Sequence, residues 1–143
     1  MDTTIVPTDR NGLQVLDFAE CLDLLATVPV GRVAVSDRGI PLIVPVNHVV
    51  SGSSILFRTT PGSKLDAALM ERPAAFEADD FDQATRTGWS VVVRGRIEIL
   101  DDLREADIEL AVPPPWSAHA RDGAWIVIRA DEVTGRRLLA VED

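Results

Sequence analysis

VGRVAVSDRGIPLIVPVNHVVSGSSILFRT, residues 30–59, is the stretch on which the fold turns. Val30 to Ser36 is rich in β-branched residues and reads as a strand. Asp37–Arg38–Gly39 supplies a tight turn, and Ile40 to Val50 reads as the second arm of a hairpin. Ser51 to Ser54 is another turn, and Ile55 to Thr59 a third strand. A parallel crossover needs a dozen or more intervening residues, so strands this close form an antiparallel meander.

The third strand runs directly into TTPGSKLDAAL, residues 59–69, a turn followed by a helix from about Ser63 to Glu71. Leu65, Ala68 and Leu69 share one face of that helix. The turn holds Arg58, Thr59, Thr60, Ser63 and Lys64 in seven residues. Hydroxyls, free backbone N–H groups and a helix N-terminus together favour an anion. Arg58 can fork onto phosphate oxygens, and Lys64 can add a point charge. Two readings of the turn stay open on these residues alone: an anion site for a cofactor, or a solvated turn before a capped helix.

Toward the N-terminus, residues 1–16 read as an irregular arm, 1–12 being the irregular N-terminal arm of the domain. Asp17 is a candidate N-cap for a helix to about Thr27, which Pro29 ends. Phe18, Cys21, Leu22 and Leu25 fall on one apolar stripe, so Cys21 reads as core rather than as a reactive thiol.

Toward the C-terminus, Ala74 to Asp82 reads as a fourth strand with an acidic, solvated end. Trp89 to Leu100 is a long fifth strand. Trp89, Val91, Val93, Gly95, Ile97 and Ile99 share one of its faces, and Arg94, Arg96 and Glu98 the other. Gly95 inside it predicts a bend or bulge. Residues 101–111 read as a short acidic helix, followed by a proline run at 113–115. Trp125 to Ala130 is a sixth strand, which the tail can extend after a turn near Gly135. The expected fold is a single domain over 1–143: α+β, mainly β, a six-stranded antiparallel barrel with short peripheral helices.

The chain has 143 residues, of which 46% are hydrophobic, enough for one well-packed core. A formal net charge of −9 argues against a nucleic-acid surface. No apolar run reaches the roughly 18 residues that cross a bilayer, and the first residues lack the pattern of a signal peptide. Cys21 has no second cysteine to pair with, so a cytoplasmic location is expected. With two histidines, one cysteine and no tyrosine, a Cys/His zinc site and a phenolic proton donor drop out. His48 reads as a satisfied strand histidine, and His119 as part of a polar loop. GSK at 62–64 lacks the upstream glycine of a P-loop. No strong acid/base or nucleophile constellation remains, so any redox chemistry would fall to a cofactor.

Five segments resemble the pyridoxamine 5′-phosphate oxidase-like flavin-binding split barrels. They are VGRVAVSDRGIPLIVPVNHVV (30–50), ILFRTTPGSKL (55–65), AAFEADDFD (74–82), TGWSVVVRGRIEIL (87–100) and TGRRL (134–138). The resemblance implies an FMN-binding split barrel and a homodimer with cofactor sites at the subunit interface. It implies that Arg58, Thr59, Thr60, Ser63 and Lys64 hold the phosphate. It puts Pro45, Val46 and Asn47 along the isoalloxazine edge and brings Trp89 and Ser90 from the second subunit. The arginine and histidine signature that recognises pyridoxal phosphate in the true oxidase is not visible at the C-terminus, so vitamin B6 oxidation is not expected. Some relatives use a deazaflavin and others bind haem, which leaves open a haem or substrate contact at His48.

The expected activity is that of an FMN-dependent oxidoreductase moving hydride or electrons between a reduced nicotinamide and a small organic acceptor. Its rivals are a deazaflavin-dependent reductase and a non-catalytic flavin-binding or storage protein. Trp116 and His119 follow the proline run in a long connection and are expected to wall the substrate pocket.

Overall fold

The computed structural model describes residues 6–58, 73–100 and 125–140. In chain order the elements are β1 (Gln14–Leu16), α1 (Phe18–Leu25), β2 (Val30–Asp37), β3 (Ile40–Ser51), β4 (Ser54–Arg58), β5 (Ala74–Asp82), β6 (Thr87–Leu100) and β7 (Trp125–Leu138). The strands pair in the order β1-β7-β4-β3-β2-β5-β6, and β6 pairs back onto β7. Six antiparallel strands, β2 to β7, thus close a barrel, with β1 appended. The expected helices near 63–71 and 101–111 lie outside the described residues.

The turns do what their residues allow. Arg38 and Gly39 both take positive φ, 52° and 82°, at the β2–β3 turn, and Gly52 takes 59° at the β3–β4 turn. Asp17 caps α1 by accepting from the Glu20 N–H at 2.8 Å. Cys21 and Leu25 are fully buried on the inner face of α1. Phe18 departs from the expected stripe and is 52% exposed. The buried pair is therefore one turn apart, with Leu22 and Leu24 packed at its sides. Burial also raises the Cys21 thiol pKa, with Asp17 and Glu20 adding to it, so the thiol stays protonated.

The C-terminal third corrects two expectations. First, β7 is one continuous strand with no turn at Gly135. Gly135 pairs with Leu16 and Val91, and a Cβ there would lie 2.5 Å from Cys21 Sγ. The glycine is needed for close packing of α1 and β1 against β7, not for a turn. Second, Gln14–Leu16 is a strand rather than part of an irregular arm. β4 occupies one edge of β7 from Trp125 to Arg129, and β1 takes the same edge from Gly135 to Arg137. The arm thereby satisfies backbone groups that β4 does not reach.

The bulge expected at Gly95 is present. Arg94 pairs with Glu132 but Gly95 pairs with Ala130, so Asp131 is the extra residue. A Cβ on Gly95 would collide with the Arg129 carbonyl oxygen. Side chains on β6 alternate as expected up to buried Ile97, but Ile99 is exposed. The core is filled by Leu25, Val33, Ile55, Phe57, Phe76, Val91, Val93, Ile126 and Ile128.

Candidate functional site

His48 opposes Phe57 across β3 and β4, and both point into the core. Their neighbours Asn47 and Arg58 therefore point to the outer face. Arg58 in turn pairs with Trp125 on β7. The Arg58 guanidinium carbon lies 4.6 Å from the centre of the Trp125 ring, a cation–π stack. Arg58 and Trp125 thus stand side by side on β4 and β7, one residue beyond the His48–Phe57 pair.

The sheet opens beside this pair. Pairing of β3 with β4 stops at His48, so the β4-side edge of Pro45–Asn47 has no strand partner among the described residues. Proline suits such a position because it has no N–H to leave unpaired. The Asn47 Nδ2 donates to the Pro29 carbonyl at 3.2 Å. Its Oδ1 is buried and accepts no hydrogen bond. A buried acceptor without a donor costs about 1–3 kcal/mol, so a ligand N–H there would recover a penalty already incurred. Val46 faces the core and is buried, so only its backbone can serve the open edge. An orphaned amide oxygen and an arginine fork fit a flat heterocycle carrying an anionic tail.

Other expected site residues lie elsewhere. Trp89 is half-buried and packs against the core cluster, and Ser90 is exposed opposite Asp79 and Arg136. Thr59, Thr60, Ser63, Lys64, Trp116 and His119 lie outside the described residues.

His48 is a core residue, 4% exposed. Its Nε2 lies 2.8 Å from the Leu25 carbonyl and its ring meets Phe76 edge-on at 4.8 Å. Burial lowers its pKa, so the neutral ring donates from Nε2 to Leu25. An axial haem ligand would need a nitrogen open to the iron, and neither ring nitrogen reaches the surface here.

Two features escaped the sequence. Trp125 read only as the start of a strand; its place beneath Arg58 depends on the β4–β7 register. Glu77 also went unremarked beside the acidic end of its strand. Arg32 lies 3.5 Å from both Glu77 and Asp79. Burial, followed by the neighbouring Asp79, pushes the Glu77 pKa up to about 7 despite Arg32.

Comparison with known proteins bears on the family and the fold. The sequence model of the family described as Pyridoxamine 5′-phosphate oxidase matches residues 17–137. The uncharacterized protein Rv0080 of Mycobacterium tuberculosis is 36% identical over 130 residues, covering 87% of this chain and 85% of its own. An FAD binding protein from Mycobacterium smegmatis is 32% identical, with a TM-score of 0.71 over 89% of this chain and 99% of its own. An FAD-binding protein from Mesorhizobium loti is 27% identical, with a TM-score of 0.70 over 91% of this chain and 98% of its own. The barrel order, the bulge at Gly95 and a match over residues 17–137 lead to one conclusion: this chain belongs to the pyridoxamine 5′-phosphate oxidase-like family.

Proposed function

We propose that the protein binds a flavin nucleotide and works as a flavin-dependent oxidoreductase between a reduced nicotinamide and a small organic acceptor. The observation that carries this reading is the Arg58 guanidinium over the Trp125 ring, together with the buried Asn47 Oδ1 that accepts no hydrogen bond on neighbouring β3. Flavin binding by two solved relatives supports it.

The flavin, when bound, supplies hydride and electron transfer. The chain supplies position and tuning. Arg58 grips phosphate oxygens with a planar fork, and Lys64 adds charge from the following turn. The Asn47 Oδ1 accepts from a ring N–H, and backbone groups of Pro45–Asn47 meet the ring edge. FMN and FAD both carry phosphate at the required end, so either suits this set. Trp89 and Ser90 complete the site from a second copy in a homodimer, and Trp116 and His119 wall the acceptor pocket.

The test begins with the absorbance spectrum of the purified protein and titrations with FMN, FAD and a deazaflavin. Flavin peaks and micromolar or tighter affinity are expected. Lys64→Ala should weaken nucleotide binding about ten- to hundredfold, the loss of one charge-assisted contact. Reduced nicotinamide should then bleach the bound flavin, and a quinone or nitroaromatic should restore its colour. Bleaching no faster than that of free flavin would leave a carrier. Unchanged affinity in Lys64→Ala would remove the phosphate assignment.

A further inference from the structure

Trp125 is a costly residue where it stands. It is 4% exposed, and its indole Nε1 is buried without a hydrogen-bond partner. A phenylalanine or a leucine would fill apolar volume there without stranding a donor. No hydrogen bond sets the ring's orientation. What the indole provides beyond volume is its face, the strongest cation–π surface among the side chains. The Arg58 guanidinium lies 4.6 Å from the centre of that ring. Cross-strand pairing of Arg58 with Trp125 sets the two side by side. A flat guanidinium held on a flat ring keeps its N–H fork in one plane, as bidentate phosphate binding requires.

We propose that Trp125 is a positioning residue of the anion site, orienting the Arg58 fork toward the phosphate of a bound nucleotide. The proposal rests on the flavin-nucleotide reading above. It assigns Trp125 an effect that runs through the phosphate and not through the ring system. A residue that served packing alone would affect ligands with and without phosphate alike.

The experiment compares dissociation constants for FMN and for riboflavin, which lacks the phosphate, by titration of flavin fluorescence. The proteins are the parent chain, Trp125→Phe, Trp125→Met, Arg58→Lys, and Trp125→Met combined with Arg58→Lys. Circular dichroism confirms folding of each. In Trp125→Met the preference for FMN over riboflavin should fall about tenfold, with riboflavin affinity nearly unchanged. Trp125→Phe, with a smaller π face, should fall between the parent and Met. The double variant should lose little more than Arg58→Lys alone, because both changes remove the same contact. An unchanged preference in Trp125→Met, with a reduced one in Arg58→Lys, overturns the role of Trp125 and keeps the phosphate site. An unchanged preference in Arg58→Lys overturns the phosphate site and this proposal with it. If Trp125→Met does not fold, Trp125→Phe decides, and parent-like preference there overturns the proposal.

Discussion

Two titratable residues, His48 and Glu77, set opposite pH dependences on stability. Burial lowers the folded-state pKa of His48 from its ordinary 6.5. The unfolded chain therefore takes up a proton near 6.5 that the folded core resists, and stability falls as pH drops below that value. His48→Gln should be less stable overall, because it perturbs a buried contact, yet show a shallower acid limb. Denaturant midpoints at several pH values between 5 and 8 check the slope. Glu77 behaves the other way, its pKa raised from 4.5 to about 7. The folded state keeps a proton that the unfolded chain loses near 4.5. Its contribution is complete below that value and disappears as pH rises through about 7. Glu77→Gln should match the parent at low pH and exceed it above pH 7. Equal midpoints at pH 8 would show that the folded-state pKa of Glu77 is not raised.

At the scale of the element, β7 carries the largest share of the architecture. It pairs with β1, β4 and β6 and meets α1 over Gly135. Gly135→Ala should destabilise by about 1–3 kcal/mol, because its Cβ drives into Cys21 Sγ and Leu16. Adding Cys21→Ala should recover part of that loss, a coupling that two independent defects would not show. Thermal unfolding of the four members of this cycle measures it. The Gly95 bulge is less forgiving, since the obstacle there is the backbone oxygen of Arg129 rather than a side chain. Gly95→Ala should therefore resist rescue by side-chain changes at Ile128.

At the scale of the molecule, a lone barrel leaves apolar side chains uncovered near the site. Ile43 is 66% exposed and shares the outer face of β3 with Pro45 and Asn47. Phe81 and Ile99 are also exposed. Such a face beside an incomplete ligand site suits a two-fold partner. Ile43→Glu should shift the protein toward monomer in light scattering and release flavin in parallel. Trp89→Ala should weaken dimer, flavin retention or both. If Ile43→Glu remains fully dimeric at micromolar concentration, the interface lies on another face.

Much of this molecule was legible from local chemistry. The β-branched runs, the Asp–Arg–Gly turn and the glycine at 95 define strands, a hairpin and a bulge without reference to anything distant, because backbone preference and period-two alternation are local. Asp17 marked the start of α1 for the same reason. Arg58 stood out as a cation at the end of an apolar strand, whereas Asn47 was singled out only by the family resemblance. Other assignments needed the folded chain. Whether Gly135 turns or packs depends on Cys21 lying over it, more than a hundred residues away in sequence. Phe18 fell on the apolar stripe but faces solvent, because the barrel rim offers α1 a buried strip only one turn wide. Trp125 under Arg58 and Glu77 beside Asp79 and Arg32 follow from strand register and burial, and both exist only once the sheet has closed.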